Sequence, residues 1–291
     1  MSTTDVQSGI RRQHPDWIRV RAPGGEAFHE TKRLLRDLRL HSVCEEAHCP
    51  NIGECWGQRT ATFMLMGDIC TRNCAFCAVT HGRPVILDPD EPVRVAEGVA
   101  QLGLRHVVIT SVNRDDLPDG GAHHFAATAR AVKARVPDCA VEVLVPDFQG
   151  DAAAVDVVVD SPIDIFNHNV ETVPRLYKQA RAGANYERSL TVLRRAHCRR
   201  PELRTKTGLM LGLGETRDEL LAVFADLRTV GCSILTLGQY LRPSAQHLPV
   251  NRYLRPEEFI ELRHEALPFG FRHVESAPLV RSSYHAWTHA K

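Results

Sequence analysis

Residues 61–79 read ATFMLMGDICTRNCAFCAV. The first six are apolar or β-favouring in an unbroken run, as in a strand buried on both faces, and Gly67 punctuates its end. Four residues beyond Met66 a loop begins that carries Cys70, Cys74 and Cys77 in the spacing CX3CX2C. Outward from this unit the pattern repeats. Short apolar strands are predicted at 105–111, 140–145, 163–167, 206–213 and 233–239, with amphipathic helical segments at about 92–103, 121–136, 173–182, 186–196, 216–230 and 256–267. Strands alternating with helices at this spacing imply parallel pairing through right-handed crossovers. With no GXGXXG turn, the expected fold is α/β: a partial (β/α) TIM-type barrel of about six parallel strands, with a doubly wound open sheet as the alternative. In such barrels chemistry collects where strands end, which is where the cysteine loop begins.

Upstream, the first 28 residues are polar and irregular, and a helical pattern at 29–40 leads into a second group of cysteines. The division expected is an N-terminal extension at 1–60, the barrel at 61–270 and a C-terminal extension at 271–291. A formal net charge of +1 leaves little for counterion release, so no nucleic-acid partner is expected. No apolar run matches a signal-peptide core or a membrane span, which predicts a cytoplasmic protein without a membrane partner. Nine cysteines in a reducing compartment point to metal or redox use rather than disulfides. Cys139, Cys198 and Cys232 lie in hydrophobic or strand-like contexts and read as small apolar residues.

The other six form two triplets: Cys44, Cys49 and Cys55 in CX4CX5C, then Cys70, Cys74 and Cys77. A structural zinc site closes with four protein ligands and an ordinary iron–sulfur cluster takes four thiolates. Two groups of three therefore suggest two four-iron clusters, each with one iron left for a substrate or a labile ligand. A zinc site completed by His81 and a disulfide are the bland alternatives. His48 reads as a surface or supporting residue, since Cys49 already occupies its turn.

CX3CX2C after a first barrel strand, with Phe76 before the last cysteine, resembles the signature of the radical S-adenosylmethionine superfamily. The resemblance implies that the amino and carboxylate groups of S-adenosylmethionine chelate the open iron, and that reductive cleavage gives a 5′-deoxyadenosyl radical. Contacts for the rest of that cofactor are expected from Thr110, Asn113, Arg114 and Asp115 after the second strand. Gly120 and Gly121, where backbone can approach a ligand, and Glu171, Lys206 and Glu215 complete the set. By themselves the glycine pairs read as turns.

Over most of the chain the resemblance narrows to the lipoyl synthase family. It is carried by VCEEAHCPNIGECW (43–56), the 61–79 segment, ITSVNRDDLPDGGA (109–122), FNHNVETVPRLY (166–177), TGLMLGLGET (207–216), LTLGQYLRPS (235–244) and PLVRSSYHA (278–286). It implies that Ser283 of RSSY, with Ser282 as the lesser choice, completes an auxiliary [4Fe-4S] cluster on Cys44, Cys49 and Cys55. A second [4Fe-4S] cluster on Cys70, Cys74 and Cys77 works with S-adenosylmethionine. Two hydrogens, on C6 and C8 of a protein-bound octanoyl chain, are then replaced by sulfur taken from the auxiliary cluster. Those carbons are unactivated, so no side-chain acid, base or nucleophile reaches them and no residue is assigned a catalytic role.

Implied partners are octanoylated lipoyl carrier domains (the glycine cleavage H protein and 2-oxoacid dehydrogenase acyltransferase subunits), an electron donor such as ferredoxin or flavodoxin, and an iron–sulfur carrier protein. Arg194, Arg195, Arg199, Arg200, Arg204 and Lys206, around Glu202, make the most basic stretch and are expected to receive an acidic carrier domain. His48 and Asn113 depart from the family pattern, which would place a small residue and an acid there. A biotin synthase-like enzyme, the nearest rival, would lack CX4CX5C and RSSY; a plain electron carrier would not explain the βα repeats.

Overall fold

In the computed structural model, which describes residues 14–181, 183–284 and 286, the chain opens with helix α1 (Glu26–Asp37). Its Phe28, Thr31 and Leu35 recur at helical spacing and are buried. A two-residue strand β1 (His41–Ser42) and short helices α2 (Val43–Glu46) and α3 (Ile52–Gly57) follow. The repeating part then runs β2 (Thr62–Leu65), α4 (Glu91–Leu102), β3 (His106–Ser111), α5 (Ala122–Arg135), β4 (Ala140–Leu144), α6 (Ala152–Val159), β5 (Ile165–Asn167), α7 (Tyr177–Ala180), α8 (Tyr186–Arg199), β6 (Arg204–Leu211), α9 (Arg217–Thr229), β7 (Ile234–Gln239), α10 (Pro256–Ala266) and β8 (His273–Ser276).

All eight strands join one sheet in sequence order. β2 to β8 are parallel, and β1 lies antiparallel on β2, with His41 opposite Met64. A doubly wound sheet needs a reversal of strand order, and none occurs here. Among the described residues β8 does not pair back to β1, so the sheet is a partial barrel of TIM type.

Four features differ from the sequence expectation. The parallel strands number seven rather than about six; β8 falls inside the segment read as the C-terminal extension, and its HVES has one fully buried residue, too little for a periodic signal. β1 likewise brings the N-terminal extension into the sheet. Helix α6 was not expected and starts where the Asp151 side chain accepts from the Ala153 N–H. The helix expected at 173–182 is a 3-10 turn, Pro174–Leu176, followed by the four residues of α7.

Within the barrel, residues two apart along a strand point inward together. His106 on β3, Glu142 on β4, Asn167 on β5 and Lys206 on β6 form a buried polar layer. Lys206 Nζ lies 2.7 Å and Asn167 Nδ2 2.9 Å from Glu142 Oε1, and His106 Nε2 is 3.3 Å from Oε2. One layer further along the same faces come Leu144 and Gly208, which line a cavity at the C-terminal end of the barrel.

Candidate functional site

That cavity, about 550 Å³, is walled by strand ends, by the loop after β2, by α2 and by the chain after β8. Five of the six paired-triplet cysteines face it: Cys44, Cys49, Cys70, Cys74 and Cys77. The topology thus brings together two motifs that the sequence separates, from opposite flanks of β2.

The Cys70–Cys77 loop is held on three sides. Met66 and Gly67, at φ 69° and 90°, turn the chain out of β2, and the buried Glu91 carboxylate accepts from the Met66 N–H at 2.9 Å. Toward β3, the Thr71 N–H donates to Asn113 O, and the N–H groups of Arg72 and Asn113 point at Cys70 Sγ at 3.4 and 3.3 Å. Such amides favour the thiolate a metal requires. Arg72, buried, forks onto Asp115 at 2.6 and 2.8 Å and reaches Asp147 at 2.7 Å. On the remaining side the Ala75 N–H donates to Ala180 O beyond β5, and the Leu248 N–H donates to Ala75 O.

The first triplet sits on α2, α3 and the turn between them. Ser42 Oγ caps α2 by accepting from the Cys44 N–H, and the Cys49 N–H donates to Cys44 O. The chain after β8 closes over it: Asn51 Nδ2 donates to Leu279 O at 2.8 Å, and the Tyr284 hydroxyl bonds the Glu54 carboxylate. This approach depends on Gly238 in β7, where a Cβ would lie 2.0 Å from Val280 O. Val280, Arg281, Ser282 and Ser283 all line the cavity. Burial pulls the Arg281 guanidinium below its ordinary value, and Cys49 beside it pushes back.

Burial pushes the thiols up: Cys49 and Cys74 to about 11, Cys55 and Cys77 to about 12. Binding a metal must therefore displace protons at neutral pH. A lone zinc with bonds of about 2.3 Å would draw its sulfurs to about 3.8 Å of one another. Among the described residues the one trio of ligand atoms mutually within 4.8 Å is His41, Glu46 and Asp68. His81, the fourth ligand of the zinc alternative, is exposed. Two groups of three thiols, each short of the four ligands that a structural zinc needs, fit an iron–sulfur cluster with one open iron.

Thr110, Asn113 and Glu171 line the cavity. Ser111 Oγ and Asn113 Oδ1 are buried there without a hydrogen-bond partner among the described residues, which leaves polar capacity for a ligand. Burial raises the Glu171 carboxyl, and Arg181 partly offsets it. Ser282 exchanges two hydrogen bonds with Asn169, whereas the Ser283 hydroxyl makes none among the described residues.

The other expected contacts lie elsewhere. Lys206 is a layer beneath the cavity, paired with Glu142. Arg114 forks onto Asp116, and Asp115 braces the cysteine loop, its carboxylate on Arg72 and its N–H donating to Thr71 Oγ1. Gly120 and Gly121 are turn residues at φ 58° and 88°; a Cβ on Gly121 would meet Met66 Sδ at 2.3 Å, so its bareness serves packing against β2. Glu215 accepts from the N–H groups of Gly212 and Leu213 and shapes that turn. Much of the basic stretch is engaged within the chain, while Arg194 is exposed. Arg195 and Arg199 pair with Asp156 of α6 and Asp160 at its C-terminal cap, Arg200 donates to carbonyls at Val159, Ser161 and Ile163, and Lys206 is fully buried. Sequence reasoning overlooked Arg181 and Asn169, both in the cavity wall; Arg181 lies in no recognisable motif, while Asn169 lies within FNHNVET without any mark of its role.

Comparison with known proteins agrees with this geometry. The model of the radical SAM superfamily matches residues 64–227, and that of the N-terminal domain of lipoyl synthase of the radical SAM family matches residues 2–49. Lipoyl synthase of Methylococcus capsulatus is 60% identical over 282 residues, 97% of this chain and 88% of the relative. That of Rubrobacter xylanophilus is 58% identical over 276 residues, 95% and 86% of the two chains. Among solved structures, methylornithine synthase superposes with a TM-score of 0.54 at 14% identity, covering 89% of this chain and 81% of that one, a likeness of fold.

Proposed function

The chain belongs to the lipoyl synthase family of radical S-adenosylmethionine enzymes, and from that membership we propose a division of labour within its one cavity. It is a sulfur-inserting enzyme that uses S-adenosylmethionine and iron–sulfur chemistry. Our reading is that it holds two [4Fe-4S] clusters, one on Cys70, Cys74 and Cys77 and one on Cys44, Cys49, Cys55 and Ser283. When bound, the first with S-adenosylmethionine supplies a carbon-centred radical and the second supplies sulfur. The substrate is an octanoyl group on a lipoyl carrier domain, converted at C6 and C8.

The observation that carries this reading is the convergence of five of the six cysteines, from both triplets, and the terminal serines on a single cavity. Radical formation at one centre and sulfur donation from the other require that the acyl chain reach both without leaving, and a shared cavity provides this. The chain's own residues orient and enclose. Amides of Arg72 and Asn113 support Cys70, and Thr110, Asn113 and Glu171 are placed to hold S-adenosylmethionine. Apolar Val43, Met64, Leu144 and Leu209 give the acyl chain a dry wall. Ser283, without a competing hydrogen bond among the described residues, fits the open iron better than Ser282. An oxygen ligand is harder than thiolate and suits a cluster that must be opened. We read residues 61–270 as the radical-forming part, with 1–60 and 271–291 supplying the auxiliary site. Among the described residues no helix is long and apolar enough to cross a membrane.

Anaerobic reconstitution tests this. Two cubanes require about eight irons per chain, and with reductant the loaded protein should convert an octanoyl-lysine peptide to its dithiolated form. Four irons, or zinc alone, would overturn the assignment.

A further inference from the structure

We propose that Asn169 is the positioning residue for the serine ligand: it clamps Ser282 so that Ser283 is presented to the Cys44, Cys49 and Cys55 site. The inference rests on the reading of Ser283 as a cluster ligand. Asn169 follows β5 by two residues. Its Nδ2 donates to Ser282 Oγ at 2.7 Å, and Ser282 Oγ donates to its Oδ1 at 2.9 Å. One hydroxyl used both as acceptor and as donor fixes a side chain more tightly than a single bond does. Ser282 is then fully occupied, which assigns the two adjacent serines different tasks.

The clamp is itself built into the barrel. Arg181 Nη1 donates to Asn169 O at 2.9 Å and to Ser189 Oγ at 3.1 Å, fixing the backbone beneath the amide. Gly208 in β6 makes room for it: a Cβ there would come within 2.9 Å of Asn169 Oδ1 and 3.0 Å of Ser282 Oγ. The segment is also tied by Asn51 to Leu279, Gln239 to Pro278 and Tyr284 to Glu54, and the Tyr284 N–H closes a turn onto Arg281 O around the two serines; none of these bonds touches a serine hydroxyl. Removing the clamp therefore releases the Ser282 side chain, and with it the set of the turn that presents Ser283, while leaving the segment docked.

The test is release of auxiliary-cluster iron to a chelator from anaerobically reconstituted protein, in a background where Cys70, Cys74 and Cys77 are alanine so that only the auxiliary cluster is read. Asn169→Ala and, independently, Gly208→Ala should accelerate release about tenfold, about 1.4 kcal/mol, the order expected for losing a pair of hydrogen bonds. Both alanine variants should also shift the electron paramagnetic resonance spectrum of the reduced cluster toward that of Ser283→Ala. Release and spectrum unchanged in Asn169→Ala, with Ser283→Ala altered, would overturn the clamp alone. If Ser283→Ala is also unchanged, the serine assignment falls with it.

Discussion

Replacing Lys206 by methionine separates a structural from a cofactor role for the one lysine buried in the barrel. The substitution keeps the length of the side chain and removes its charge. Glu142 would then retain Asn167 at 2.9 Å and His106 at 3.3 Å but lose the ammonium at 2.7 Å. Breaking a buried pair from one side costs about 3–5 kcal/mol, because the remaining charge is uncompensated. The surviving partners put the expected loss near the lower end, about 3 kcal/mol.

For a chain of this size that corresponds to a fall of about 6 °C in the unfolding midpoint. The pair Lys206→Met and Glu142→Gln together should recover most of it, since neither charge is then stranded. A pH signature accompanies the loss. Burial alone would raise Glu142, but Lys206 and His106 outweigh it and hold the carboxyl down from 4.5 to about 2. Its stabilisation is therefore complete above about pH 4.5 and disappears as pH falls toward 2, so wild type and Lys206→Met should converge over that window. The assay is anaerobic thermal unfolding at fixed scan rate alongside S-adenosylmethionine binding per folded molecule. Undiminished stability with lost cofactor affinity would refute the structural role and return Lys206 to the cofactor.

Two shorter predictions concern the sulfur-donating side of the cavity. Gly238→Ala drives a methyl into Val280 O, so the variant should lose about half of its reconstituted iron, one cubane of two, while still cleaving S-adenosylmethionine; full iron content would contradict the close approach of the terminal segment. Cys44→Ala should likewise retain reductive cleavage of S-adenosylmethionine but release no thiolated peptide, and product formation in that variant would remove the first triplet from the reaction.

Much of this site is legible in the chain itself. The strand at 62–65, unbroken in its burial, and the cysteines four residues beyond it mark the fold and one metal loop together. Alternation of apolar strands and amphipathic helices supplies most of the barrel. What escapes is of two kinds. β1 and β8 are short and only partly apolar, so their place comes from pairing with β2 and β7 rather than from their own pattern.

Polar residues are harder still, because a formula such as Lys or Gly does not say which layer it occupies. Lys206 and Gly208 share a strand face, yet one seals the barrel beneath the cavity and the other lines it. The run of arginines on α8 looks free in sequence because its acids, Asp156 and Asp160, come from a helix with no periodic signal of its own. Asn169 and Ser282 are separated by 113 residues, and only the folded chain puts them within hydrogen-bond distance.

The central claim is that sulfur leaves the centre held by Cys44, Cys49 and Cys55 and enters the acyl chain. Protein reconstituted with isotopically heavy sulfide, freed of excess sulfide and given one turnover on an octanoyl-lysine peptide, measures this directly. Heavy sulfur at both C6 and C8 is the predicted result. A dithiolated product carrying only light sulfur would contradict it.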